Sequence, residues 1–187
     1  MLALDVSGSM SGEPLEAEKQ AALKFCESLF AADGENYAAL VTYSSSASIA
    51  VSFTDDYELL KTKINSLSAN GGTNITDALS KADGMLDGVE GIRNIVLLSD
   101  GLPESGSTSS TGPYASSDHS DYRYANAAYN KAKELKEKYN IYSLGFFHKL
   151  SGTDLSFGAR LMNDLSNKGY YEVTDPDDLV FTFDQIA

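Results

Sequence analysis

Four branched aliphatic residues in a row, Ile95-Val96-Leu97-Leu98, run directly into Ser99-Asp100-Gly101. A strand with no polar alternation has no face to offer water. It belongs inside a parallel sheet covered by helices on both sides. That demand constrains everything else, because the rest of the chain must supply both helical layers and the neighbouring strands.

It does so by alternation. Leu2–Asp5 is a short strand. Glu13-Pro14 opens a helix, since proline is tolerated in the first turn. Leu15, Ala22, Leu23, Cys26, Leu29 and Phe30 form its apolar stripe, and Asp33-Gly34 ends it. Residues 37–43 and 47–53 read as strands joined by Ser44-Ser45-Ser46, too short a link for a parallel crossover, so they form a hairpin. Residues 55–67 are helical. After Gly71-Gly72, Thr73 or Asn74 caps a helix striped by Ile75, Ala78, Leu79, Ala82, Met85 and Leu86. The buried strand covers residues 93–99. A helix over 122–139, a strand over 141–147, a helix over 154–165, a strand over 169–173 and a last helix from Asp175-Pro176 complete the chain. The expectation is a Rossmann-like, doubly wound α/β fold. Its six-stranded sheet is mostly parallel, with one antiparallel edge strand and helices on both faces.

At 187 residues the chain fits one domain with a substantial core, 1–187. Met1 abuts the first strand, which suggests a domain excised from a longer protein. No segment approaches the roughly 20 apolar residues that span a bilayer. The formal charge is −13, from 27 acids against 14 bases. Such a surface repels nucleic acid and anionic membrane and favours cations. The single cysteine, Cys26, excludes an internal disulfide and falls on the apolar face of a helix.

Polar residues gather where the strands end. Asp5, Ser7 and Ser9 alternate as the first strand hands over to its loop. Asp100 ends the buried strand, and Thr73 opens a helix in a loop that can reach the same edge. Ligands of open α/β sheets bind beyond the carboxyl ends of the strands. Asp5, Ser7, Ser9, Thr73 and Asp100 are therefore candidates for one site. Oxygen donors without thiol or imidazole suit a hard cation: Mg²⁺, with Mn²⁺ or Ca²⁺ as alternatives. Each residue also has a plainer role available. Asp and Ser form turns, Thr73 could be only a helix cap, and Asp100-Gly101 could be only a turn. The acids Asp175, Asp177 and Asp178 suit the first turn of the last helix. His119 and His148 have no partner at metal-ligand spacing. The Ser/Gly-rich stretch 101–120 reads as a long loop. Its 106–112 segment is expected to be mobile, with Tyr114 a candidate for shaping specificity beside the metal.

Three segments carry a resemblance: Asp5-Val6-Ser7-Gly8-Ser9-Met10, Gly71-Gly72-Thr73-Asn74-Ile75 and Val96-Leu97-Leu98-Ser99-Asp100-Gly101. In this order and setting they resemble the von Willebrand factor type A domain, of bacterial type, with its metal-ion-dependent adhesion site. The resemblance implies a non-enzymatic, monomeric protein-binding module at the cell surface. Its Mg²⁺ would be held by Asp5, Ser7, Ser9, Thr73 and Asp100, and a partner's Asp or Glu carboxylate would take an open coordination position. It also implies that affinity can be coupled to movement of the Gly101 loop and the last helix. An alternative within the family is an intracellular adaptor beside a ring-shaped ATPase. A metal-dependent hydrolase is disfavoured: no histidine adjoins Ser7 or Ser9 in sequence, and the phosphate-cradling loop is absent.

Overall fold

The computed structural model describes all 187 residues. Its strands are β1 (Leu2–Asp5), β2 (Ala38–Tyr43), β3 (Ala47–Thr54), β4 (Asn94–Ser99), β5 (Asn140–Phe146) and β6 (Gly169–Val173). Its α-helices are α1 (Glu13–Ala31), α2 (Tyr57–Asn65), α3 (Ile75–Leu86), α4 (Tyr122–Leu135), α5 (Gly152–Leu165) and α6 (Pro176–Asp184). One six-stranded sheet runs in the order β3-β2-β1-β4-β5-β6. All neighbours pair in parallel except β2 and β3, which form the expected antiparallel hairpin.

The sheet is buried on both faces, as the apolar run requires. Alternate residues of β4 enter opposite cores. Ile95 and Leu97 join Leu79, Ala128 and Leu161 from α3, α4 and α5. Val96 and Leu98 join Phe25, Leu60 and Phe183 from α1, α2 and α6. No helix is long and apolar enough to cross a membrane.

Strand order reverses between β1 and β4, which lie side by side at the centre while the chain winds outward from each. The loops leaving them run in opposite directions at the carboxyl edge, the switch point where ligands of such sheets bind in a crevice. Asp5 and Asp100 stand at its two sides.

Local chemistry sets the helix ends. Asp56 caps α2 through the Leu59 amide at 3.0 Å. Asp175 caps α6 through the Asp177 amide at 3.0 Å, which gives the acids there the structural role expected of them. Of the two caps open for α3, the structure selects Asn74. Its Oδ1 accepts from the Asp77 amide at 3.0 Å. α4 ends at Leu135, a turn short of the expected Tyr139.

The long loop departs from expectation. Residues 109–114 are hydrogen-bonded to α4. Ser109 N donates to Arg123 O at 2.9 Å, and Asn130 Nδ2 donates to Thr111 O at 2.9 Å. Buried Asn126 holds both Tyr114 N and Tyr114 O at 3.0 Å. Tyr114 itself is buried, edge-on to Tyr129 and Phe157, with its hydroxyl on Asp164 in the last turn of α5. It packs the core between α4 and α5 instead of shaping the mouth of the crevice.

Candidate functional site

The site begins with a turn. After Asp5 the chain makes a short 3₁₀ turn, Gly8–Met10, with the Met10 side chain buried beneath it. Asp5 Oδ1 accepts the Ser7 amide at 2.9 Å, the bond by which an aspartate shapes its own loop. Turn formation and site formation are thus the same geometry here. Ser7 is buried and Ser9 is exposed at the rim.

Asp100 closes the other side. Ser9 Oγ donates to Asp100 Oδ1 at 2.9 Å, Ser7 Oγ lies 3.4 Å from the same oxygen, and the two hydroxyls are 3.0 Å apart. Ser99 Oγ donates to Asp5 Oδ2 at 3.0 Å, so β4 also orients the carboxylate of β1. Four of the five candidates are in direct contact.

Thr73 arrives by backbone docking. Asn70 N donates to Val6 O and Gly8 N donates to Gly71 O, each at 2.9 Å. The amides of Glu104 and Ser105 donate to Thr73 O at 3.1 and 3.3 Å, and Asn74 N donates to Ser44 O at 2.8 Å. The segment is sewn to the loops after β1, β2 and β4. Gly71 is needed for this, because its φ of +76° lies in the left-handed region and a Cβ would stand 2.8 Å from Ser45 Oγ. Asn74 takes the cap, so the buried Thr73 side chain is free of that task and makes no intramolecular hydrogen bond.

The electrostatics are one-sided. Asp5 and Asp100 are buried, and neither is in a salt bridge. Burial first, and then the Asp100 charge, pushes the Asp5 carboxyl up to about 7, against the pull of hydrogen bonds from Ser7 and Ser99. Burial also raises Asp100, opposed by the Ser9 hydroxyl and by the nearby charges of His148 and Lys149. Asp100 Oδ2 is buried with no hydrogen-bond partner. Leaving a buried polar atom without a partner costs roughly 2–7 kcal/mol.

A divalent cation bound there would answer that deficit. No three His, Cys, Asp or Glu side chains converge into a metal-binding group. The donors present are two carboxylates and three hydroxyls, a hard-oxygen set that fits Mg²⁺ in chemistry.

Glu18 and Lys149 join the site with no motif of their own in the sequence, and so does His148, for which no metal or catalytic role is expected. Glu18 of α1 is fully buried beneath the crevice, with Oε1 on the Asp5 amide at 3.1 Å and Oε2 unpartnered. The signal for it was present: an acid sits on the inward side of α1 between Leu15 and Ala22, where the stripe calls for an apolar residue. His148 and Lys149 follow β5. His148 packs tilted against Phe146 and leaves its Nε2 without a partner, and Lys149 Nζ donates to Ser9 O. His119 lies elsewhere, stacked on Phe157 and hydrogen-bonded to Asp154 at 3.1 Å.

Residues 1–102 match the family model described as the von Willebrand factor type A domain, a span containing all five candidate residues. The chain is 27% identical over 179 residues to bovine (Bos taurus) inter-alpha-trypsin inhibitor heavy chain H4, covering 89% of this chain and 17% of that protein. Among solved structures it resembles the vWF domain of the type V pili tip protein Mfa5 from Porphyromonas gingivalis, with a TM-score of 0.84 at 18% identity, covering 99% and 92% of the two chains. It also resembles the pilus adhesin SpaC from Lactobacillus rhamnosus GG, with a TM-score of 0.78 at 18% identity, covering 99% of this chain and 29% of that one. These structural likenesses establish the fold. On the family match over more than half its length, the chain belongs to the von Willebrand factor type A domain family.

Proposed function

We propose that this domain is a divalent-cation-dependent protein-binding module, an adhesion domain of a surface protein. In this reading it grips a partner carboxylate through Mg²⁺ held by Asp5, Ser7, Ser9, Thr73 and Asp100, its metal-ion-dependent adhesion site. The observation that carries the reading is the unpartnered, buried Asp100 Oδ2 beside the raised Asp5 carboxyl, with no ion pair to either. Bound there, the cation supplies Lewis acidity toward an oxygen of the partner. The chain's own residues supply the rest. Ser7 and Ser9 are neutral donors that leave positive charge unspent. Ser99 and Glu18 hold Asp5 by its carboxylate and its amide. The Gly71 turn presents Thr73 from the far side.

Binding is favoured over catalysis because no imidazole or amine base is poised on a hydroxyl nucleophile. The hydroxyls of Ser7 and Ser9 turn to each other and to Asp100, not to an imidazole. The pilus tip protein and pilus adhesin among the similar structures support an adhesive role and a surface location.

Thermal melting with excess Mg²⁺ and with chelator tests the reading. At about 100 times the dissociation constant, a bound ion adds about 2.7 kcal/mol. For a chain of this size that raises Tm by roughly 5–10 °C. D100A and S9A should abolish or sharply reduce the shift. An equal Tm with and without Mg²⁺ in the unaltered domain would overturn the proposal.

A further inference from the structure

The loops at the carboxyl edge comprise residues 6–12, 44–46, 66–74, 100–121, 147–151 and 174–175. They carry five acids, namely Asp100, Glu104, Asp118, Asp121 and Asp175, and a single Lys or Arg, which is Lys149. A chain of charge −13 thus has a single lysine or arginine in the loops of the edge that holds its site. An acidic partner approaching this edge meets a mostly acidic rim, relieved at the cation site, at Lys149 and, farther along the loop after β4, at the exposed Arg123 in the first turn of α4.

The position of that ammonium is specific. Lys149 is exposed, yet its Nζ turns inward to donate to the carbonyl of Ser9, the residue whose hydroxyl contacts Asp100. It enters no salt bridge, so its charge is not consumed within the fold. The other bases near acids are differently placed: Lys131 and Lys138 pair with Asp83, and Arg160 pairs with Asp118. A carbonyl is a weaker partner for an ammonium than a carboxylate. The contact with Ser9 is therefore one that an incoming acid can replace. The long lysine stem allows the swing without moving the backbone.

We propose that Lys149 is a second anchor of the interaction surface. The partner is then an acidic segment with two neighbouring carboxylates, one bound at the cation and one paired with Lys149. This inference rests on the carboxylate-binding reading above and narrows it from any exposed acid to a paired acidic motif.

The test uses the Mg²⁺-loaded domain and two fluorescent, end-blocked hexapeptides, one with a single aspartate and one with two aspartates two residues apart, followed by fluorescence polarisation. The two-aspartate peptide should bind about fivefold tighter, the upper range for an exposed ion pair. The advantage should shrink at high salt. With both peptides measured at saturating Mg²⁺, K149A should erase the difference between them, and K149R should restore it. If the single-aspartate peptide binds and the second aspartate adds nothing, or if K149A keeps the preference, the Lys149 inference falls alone. If the Mg²⁺ shift is absent, or is present with neither peptide binding, the underlying reading falls and takes this one with it.

Discussion

Glu18 Oε1 accepts the backbone amide of Asp5 at 3.1 Å from a carboxyl group that has no exposure to solvent. Burial, with the charges of Asp5 and Asp100 behind it, drives Glu18 well above the ordinary carboxylate range. A helix residue thereby fixes the backbone of the strand-end aspartate from below. Glu18→Gln keeps the acceptor and should leave Mg²⁺ affinity within a few-fold of the unaltered domain. Glu18→Ala loses it, leaves the Asp5 amide buried and unpaired, and should cost about 1–3 kcal/mol of stability. Calorimetric titration with Mg²⁺ and chemical denaturation of both variants separate the outcomes. Equal behaviour of the two would remove Glu18 from the support of the site.

The cation-free domain should respond to pH with an unusual sign. Asp5 moves from 3.8 to about 7 on folding, so the folded state holds more protons than the unfolded state between those values. Stability then falls as pH rises through this window. Melts in chelator should show Tm several degrees higher at pH 5 than at pH 7.5. Excess Mg²⁺ should flatten or reverse the trend, because the ion takes over the role of the proton. A Tm that rises with pH in chelator would contradict the burial of unanswered charge.

Gly71 carries no ligand but sets the path of the chain to Thr73. Gly71→Ala places a Cβ in the left-handed region, at about 1–2 kcal/mol, and against Ser45 Oγ at 2.8 Å. The expected result is a lower Tm and a weakened Mg²⁺ shift. Gly72→Ala, with an ordinary φ and a nearest contact of 3.2 Å, should be milder in both respects. Differential scanning fluorimetry of the pair decides it.

Asn74 does two jobs, capping α3 through Oδ1 and donating to Ser45 O through Nδ2 at 3.0 Å. Asn74→Ala should cost about 1 kcal/mol for the cap and about 1 kcal/mol for the second bond. Together these lower Tm by roughly 4–8 °C. Asn74→Ser should recover the cap alone.

Cys26 is the one thiol, and burial pushes it up to about 12. A thiolate is the reactive form, so alkylation by iodoacetamide at pH 8 should be negligible in the folded domain and rapid in denaturant. Prompt labelling of the native protein would mean that α1 opens locally.

Much of this molecule is written in its sequence. The uninterrupted Ile95–Leu98 run required a sheet covered twice, and the periodic stripes supplied the covers. Short-range spacing set the β2–β3 hairpin. Asp5, Ser7 and Ser9 were legible as candidates because the hydrogen-bonding habits of Asp and Ser are local properties, although the strand stops at Asp5 and a 3₁₀ turn, not strand alternation, carries Ser9 to Asp100. Asp100 followed from the rule that ligands gather at carboxyl edges. What local rules could not give was everything that depends on residues distant in sequence coming together. Whether Thr73 or Asn74 capped α3 turned on docking against Ser44 and Glu104, far away in the chain. Tyr114 read as a residue of the mouth until Asn126 and Phe157 drew it into the core. Glu18 and Lys149 belong to elements with no site motif of their own. Only the packing of α1 beneath β1, and the placement of β5 beside β4, brings their charges to Asp5 and Ser9. The sequence alone determined which oxygen-bearing groups are candidates for a hard-cation site. The tertiary structure decided which charges surround them, because electrostatic neighbours are set by distance in space and not by distance along the chain.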